Sequence, residues 1–138
     1  MKVLLLNGSP RKENTAAMVE AFKAGAEEAG NEVCVLHVGR MKINGCLGCE
    51  YCHGKGEGQC IQKDDMQELY PLLAEAEVLV IASPVYYFTL SAQIQAPIQR
   101  MYAPFKPAKV KKMVLLLSAN SPNVYDGAIG QYKGLCTF

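Results

Sequence analysis

Val3-Leu4-Leu5-Leu6-Asn7-Gly8-Ser9-Pro10-Arg11-Lys12-Glu13-Asn14-Thr15 is the stretch that decides the fold. The apolar run over residues 3–6 predicts a buried strand, and helical spacing begins near Thr15. A strand, a Gly/Ser/Pro loop and a helix start together suit an anion. The first N–H groups of a helix have no internal partner, and that end of the helix dipole is positive. Ser9, Asn14 and Thr15 add neutral donors, and Arg11 adds a charge that can fork onto phosphate oxygens. Gly8 stands alone, so neither the dinucleotide Gly-x-Gly-x-x-Gly pattern nor the Gly-Lys-Ser/Thr phosphate loop is present. The competing reading is a polar turn capped by Asn14 or Thr15, with Arg11 solvated.

Working outward, Met18, Val19, Phe22, Ala26 and Ala29 recur at helical spacing, and Gly30-Asn31 ends that helix. Residues 32–38 predict a second strand. Two strands bridged by one helix make a βαβ unit, so the sheet is expected to be parallel. His37 and Cys34 on this strand read as structural and core residues. Helix resumes at Asp64, where Asp64 and Gln67 resemble a capping box, and Pro71 predicts a short, kinked or split helix. Residues 78–82 predict a third strand covered on both faces. Ser91 can cap the next helix, which runs to about Met101 with Pro97 inside it. A basic, proline-containing connection follows, then a fourth strand at 113–117, a polar loop at 118–123 and a last helical face from Tyr125 to Leu135.

The bulk composition bounds the function. The chain has 138 residues, enough for one domain with a real core. Fourteen basic against thirteen acidic residues leave a net charge of +1, with no basic block to suggest nucleic acid or an anionic membrane. No apolar run approaches a membrane span, and Met1-Lys2 plus four apolar residues is too short for a signal peptide, so a cytoplasmic protein is expected. Cysteines in that compartment rarely form stable disulfides. Four of the six crowd between Cys46 and Cys60, which favours metal or redox chemistry.

The first, third and fourth strands each lead into a polar or aromatic loop. In an open parallel sheet their carboxyl ends share one rim, where ligands bind at the reversal of strand order. The first loop offers phosphate donors. The third offers Pro84, Val85, Tyr86, Tyr87 and Phe88, and the fourth offers Ser118, Asn120 and Ser121. The aromatic run alone would read as packing. Beside a phosphate loop it points to a ligand with a phosphate at one end and a flat ring at the other, which is a flavin.

Gly8-Ser9-Pro10-Arg11 with Asn14-Thr15, Cys46-x-x-Cys49-x-x-Cys52, Asp64-Asp65-Met66, Ser83-Pro84-Val85-Tyr86 and Ser91-Ala92-Gln93 occur in that order. With these motifs the chain resembles the flavodoxin-like NAD(P)H-dependent FMN reductases, and its cysteine segment resembles their iron–sulfur flavoprotein branch. The resemblance spans nearly the whole chain. It implies an α/β doubly wound parallel sheet of order 2-1-3-4 and non-covalent FMN. Ser9, Arg11, Asn14 and Thr15 would hold the phosphate, and Pro84, Val85, Tyr86, Tyr87 and Phe88 would line the isoalloxazine. Gln99-Arg100 stands where the family often has Asp-Arg, and Pro97 replaces a usual apolar residue. The family also continues with a fifth strand and a final helix. Their apparent absence here leads one to expect a shortened or incompletely recorded chain, or a partner subunit covering the edge.

The spacing Cys46-x2-Cys49-x2-Cys52-x7-Cys60 resembles the start of bacterial ferredoxin ligation, where close thiolates wrap one 4Fe-4S cube. Zinc would also accept four thiolates, though structural zinc sites pair two knuckles separated by more chain. Reduced or redox-sensing thiols are the third reading, and His53 is a minor candidate ligand. The expectation is one domain over 1–138 with a Cys-rich insert at 45–60. It would act as an FMN-dependent oxidoreductase, with NAD(P)H as co-substrate, that moves electrons to a small acceptor such as a quinone. No catalytic acid–base pair is demanded, because the flavin carries the chemistry. Ferredoxin as a one-electron partner and a homo-oligomer complete that reading. A flavodoxin-type electron carrier and a thiol- or metal-based sensor are its alternatives.

Overall fold

The computed structural model describes residues 1–137. Strand β1 (Lys2–Asn7) leads through the Gly8–Asn14 loop into helix α1 (Asn14–Glu28), and β2 (Glu32–Leu36) follows. Next come a 3-10 turn at Val38–Arg40, the cysteine loop and helix α2 (Met66–Glu75). The remaining elements are β3 (Val78–Tyr86), β4 (Thr89–Leu90), α3 (Ala92–Arg100), β5 (Lys112–Ser118) and α4 (Asp126–Thr137). The parallel strands lie in the order β2-β1-β3-β5, as the βαβ pattern predicts, with β5 as the fourth parallel strand. The registers Val3↔Val33, Val3↔Val78 and Val78↔Lys112 bring the carboxyl ends of β1, β3 and β5 to one rim.

Alternation along β1 divides the core between two faces. Leu4 and Leu6 pack with Met66, Leu69 and Leu73 of α2, Ile94 and Ile98 of α3, and Ala128 of α4. Val3 and Leu5 pack on the other face with Val19 and Phe22 of α1. Residues 78–84 of β3 are buried on both faces, which explains their unbroken apolar pattern. Strand β5 is equally apolar, yet its residues after Lys112 are all only half-buried. Among the described residues it has one strand neighbour, β3.

Several expectations need correction. Strand β2 stops at Leu36, and the chain turns at Val38–Arg40. Cys34 is exposed. It lies on edge strand β2 between Val33 and Val35, which turn toward α1, so it faces the opposite side, where its position near the start of the edge strand leaves it exposed. The third strand runs four residues past Ala82, because Val85 and Tyr86 pair antiparallel with Leu90 and Thr89. Pro71 sits inside α2, and the outcome is a short, unbroken helix of ten residues with Pro71 on its exposed side. The capping box does not form. The Gln67 amide donates to the Gln62 carbonyl, and the Asp64 carboxylate is taken by other donors.

Candidate functional site

The β1–α1 loop is built from the inside. Asn7 is fully buried at the end of β1, and its Oδ1 accepts the Ser9 N–H at 3.0 Å, which folds the chain back after two residues. Its Nδ2 lies 3.3 Å from Nδ1 of His37, so that histidine holds the loop's anchor. The Gly8 N–H donates to the Ala82 carbonyl at 2.8 Å, and the Gly8 carbonyl accepts the Ser91 hydroxyl at 2.7 Å. The Ser9 hydroxyl accepts the Arg11 N–H at 3.1 Å. Gly39, in the 3-10 turn, lies against Gly8 and the Ser9 carbonyl so closely that a Cβ would collide with both.

The start of α1 is left open. Glu13 occupies the cap position without a side-chain cap bond, so neither Asn14 nor Thr15 caps the helix. The Thr15 hydroxyl instead meets Ser118 Oγ at 2.8 Å, tying the phosphate-type loop to the end of β5. Arg11 pairs with Glu13 on the exposed side of the loop.

A cleft of about 370 Å³ opens along this rim. Ser9, Arg11, Asn14 and Thr15 of the β1–α1 loop, Pro84, Val85, Tyr86, Tyr87 and Phe88 of the β3–β4 hairpin, and Ser118 and Asn120 at the end of β5 line it. The fold thus brings together every residue that the sequence suggested for the phosphate and the ring. It also includes Ser121, and adds Glu13, Ala119 and Val124. Tyr87 and Phe88 form the two-residue turn between β3 and β4, with φ of 47° and 70°. Paired positive φ values match the twist of a hairpin but are costly outside Gly and Asn. The rings are exposed, Tyr87 at 94% and Phe88 at 53%, and meet edge to face at 5.7 Å. An open helix start, three neutral hydroxyl or amide donors (Ser9, Asn14 and Thr15) and one guanidinium suit a phosphate. Exposed aromatic faces across the cleft suit a flat ring.

The cysteine loop is fastened at its two ends. Arg100, buried at the end of α3, donates to both oxygens of Asp64 at 2.7 and 3.2 Å and to the Asn44 carbonyl at 3.0 Å. Burial alone would raise the Asp64 carboxyl; the Arg100 guanidinium and the N–H groups of Asn44 and Met66 outweigh it and hold the group below its ordinary value. Gln99 Oε1 accepts the Cys46 N–H at 3.3 Å. The Gln-Arg pair therefore joins α3 to the cysteine loop. Farther along, His53 lies on Tyr102 with ring centroids 4.4 Å apart, and Tyr102 donates to Glu50.

All six cysteines are free. Burial pushes the Cys52 thiol up, and Cys60, Glu50 and Cys46 push it further, so Cys60 and Cys46 each lie within electrostatic reach of Cys52. Among the described residues, no three His, Cys, Asp or Glu side chains converge into a metal-binding group. As a donor set, four free thiols on one Gly-rich loop suit a soft metal or an iron–sulfur cluster.

Sheet order, rim cleft and helix arrangement define a flavodoxin-like α/β protein. Residues 1–132 match the family of NADPH-dependent FMN reductases, and the chain belongs to that family. It is similar to an iron–sulfur flavoprotein of Archaeoglobus fulgidus, with 44% identity over 102 residues, 73% of this chain and 46% of that protein. It is also similar to an iron–sulfur flavoprotein of Methanocaldococcus jannaschii, with 37% identity over 130 residues, 94% of this chain and 59% of that protein. The chain spans about half the length of the curated relatives it matches. In fold it resembles an NAD(P)H:quinone oxidoreductase from Methanothermobacter marburgensis, with a TM-score of 0.71, 21% identity, and coverage of 98% of this chain and 69% of that one. Among the described residues, no helix is long and apolar enough to cross a membrane.

Proposed function

We propose that the protein is an FMN-dependent oxidoreductase that takes electrons from NAD(P)H, or from a one-electron carrier of ferredoxin type, and delivers them to a small flat acceptor such as a quinone or a flavin. The observation that carries this reading is the rim cleft, with phosphate donors on the β1–α1 loop and exposed aromatic rings on the β3–β4 hairpin. Bound FMN supplies both hydride and single-electron chemistry. The open start of α1, Ser9, Thr15 and Arg11 bind the phosphate. In doing so, Arg11 exchanges its exposed partner Glu13 for phosphate oxygens. Ser118 and Asn120 offer polar groups along the ligand's middle. Pro84, Val85, Tyr86, Tyr87 and Phe88 cover the ring and exclude water from it.

Cys46, Cys49, Cys52 and Cys60 are proposed as ligands of a 4Fe-4S cluster. The Gln99 and Arg100 contacts keep the start of that loop against α3, and the His53–Tyr102 contact keeps its middle against the connection after α3. A homo-oligomer, a cytoplasmic setting and a single domain with a cysteine insert belong to the same proposal.

The test is a visible spectrum of protein purified without oxygen, with iron and sulfide assayed on the same sample and NAD(P)H oxidation followed with a quinone. Flavin bands with about four irons per chain, as one cube requires, support both parts. Flavin without iron or sulfide removes the cluster and leaves the reductase. Protein that takes up no FMN overturns the flavin reading.

A further inference from the structure

Helix α4 carries three glycines, and glycine is among the poorest helix formers. Two of them, Gly130 and Gly134, have open space where a Cβ would stand. Gly127, in the first turn, differs. A Cβ there would come closer than 3.0 Å to the carbonyl oxygen of Phe88, nearer than real Cβ atoms approach. The residue after it, Ala128, is fully buried. The aromatic tip of the β3–β4 hairpin thus rests with its backbone on the bare Cα of α4, while its rings are exposed.

The tip has little other freedom. Below it, Val85 pairs with Leu90 and Tyr86 with Thr89, and Leu90 is buried in the core. The Thr89 hydroxyl donates to the Tyr86 carbonyl at 3.2 Å. Tyr87 and Phe88 both hold positive φ without being glycine, a strained shape that persists only where the surrounding contacts enforce it. A side chain at 127 would therefore move the tip as a unit.

We infer that Gly127 is a positioning residue: by admitting the Phe88 carbonyl it sets the height of the Tyr87–Phe88 tip over the cleft, and hence how well the site grips the ring end of its ligand. This rests on the flavin reading above. The effect belongs to the ring contacts alone, because the phosphate donors Ser9, Arg11, Asn14 and Thr15 stand on the β1–α1 loop rather than on the hairpin.

The experiment compares wild type, Gly127→Ala and Gly130→Ala in the full chain. Both variants make the same chemical change on the same helix. FMN is the two-ended probe, and inorganic phosphate, followed by phosphorus NMR, is the one-ended probe. Gly127→Ala is expected to bind FMN roughly tenfold more weakly, equivalent to about 1.4 kcal/mol, with a shifted flavin band. Its phosphate affinity should be unchanged, and Gly130→Ala should match wild type with both probes. Equal FMN affinity and spectrum in the two variants would overturn the inference. Parallel loss of FMN and phosphate in Gly127→Ala would also overturn it, because that marks a general loss of structure. Near-ultraviolet circular dichroism of the apoprotein reads the tip without flavin. If wild type takes no FMN but the Gly127→Ala dichroism alone changes, the flavin reading falls and the seating of the tip on Gly127 stands.

Discussion

Removing the Asp64 carboxylate is expected to be among the most damaging single changes in this protein. The Arg100 side chain is fully buried and Asp64 nearly so, with side-chain exposures of 0% and 9%. In Asp64→Ala the guanidinium loses two charge-assisted bonds and keeps the Asn44 carbonyl and the nearby Tyr70 hydroxyl; among the described residues its Nε has no hydrogen-bond partner. An uncompensated buried charge of this kind costs about 3–5 kcal/mol, a large share of the roughly 5–15 kcal/mol that holds a domain together. At this chain length the melting temperature should fall by about 10–15 °C. Arg100→Met is expected to cost less, because Asp64 keeps the N–H groups of Asn44 and Met66 at 3.0 and 3.2 Å. The double change Asp64→Leu with Arg100→Met should recover most of the loss, since a buried pair and an apolar pair are nearly equivalent. Urea unfolding of the three variants measures this, and limited proteolysis reports whether the cysteine loop is released. A loss below about 1 kcal/mol in Asp64→Ala, or a greater loss in Arg100→Met, would refute the view that buried charge dominates here.

The same pair sets an acid limit. Because the Asp64 carboxyl is depressed on folding, its contribution is fully present above its unfolded value near ~3.9 and is lost as pH falls through the lower folded value. Acid unfolding monitored by circular dichroism should therefore lose its steep limb below about pH 4 in Arg100→Met, where that depression is largely removed. Gly39→Ala drives a Cβ into the Ser9 backbone and should destabilise the fold by about 1–3 kcal/mol in thermal melts, with weaker FMN binding in the same sample. Arg11→Ala removes one charged donor at the rim, so FMN affinity should fall by about 1.5–3 kcal/mol, while riboflavin, which lacks the phosphate, binds as before. Cys34→Ser exchanges an exposed thiol on an edge strand and should leave stability within about 0.5 kcal/mol.

Much of the site was legible before folding because its parts are local. A strand, a loop and a helix start are read over some thirteen consecutive residues, and the three rim loops follow from the rule that parallel strands end on one edge. The supports were not legible, because each depends on residues far apart in the chain. Asn7 is held by His37, Cys46 by Gln99, and Asp64 by Arg100. A lone histidine and a Gln-Arg pair carry no local pattern that names such partners. The aromatic hairpin was half-read. Residues 85–90 contain no Gly or Asn to announce a two-residue turn, so Tyr87 and Phe88 were expected in a loop and stand at a strained tip.

Cys34 marks the boundary between the two kinds of information. Period-two alternation determined which way its neighbours Val33 and Val35 face, but whether the opposite face is covered depends on which strand lies at the edge. By itself the sequence determined the four main strands, the helices, the parallel sheet and the rim loops, because backbone preference and hydrophobic period act between near neighbours. Only the tertiary structure decided which loops meet, which thiols lie near one another, and which glycine must stay bare, because those are matters of distance between segments that the chain brings together late.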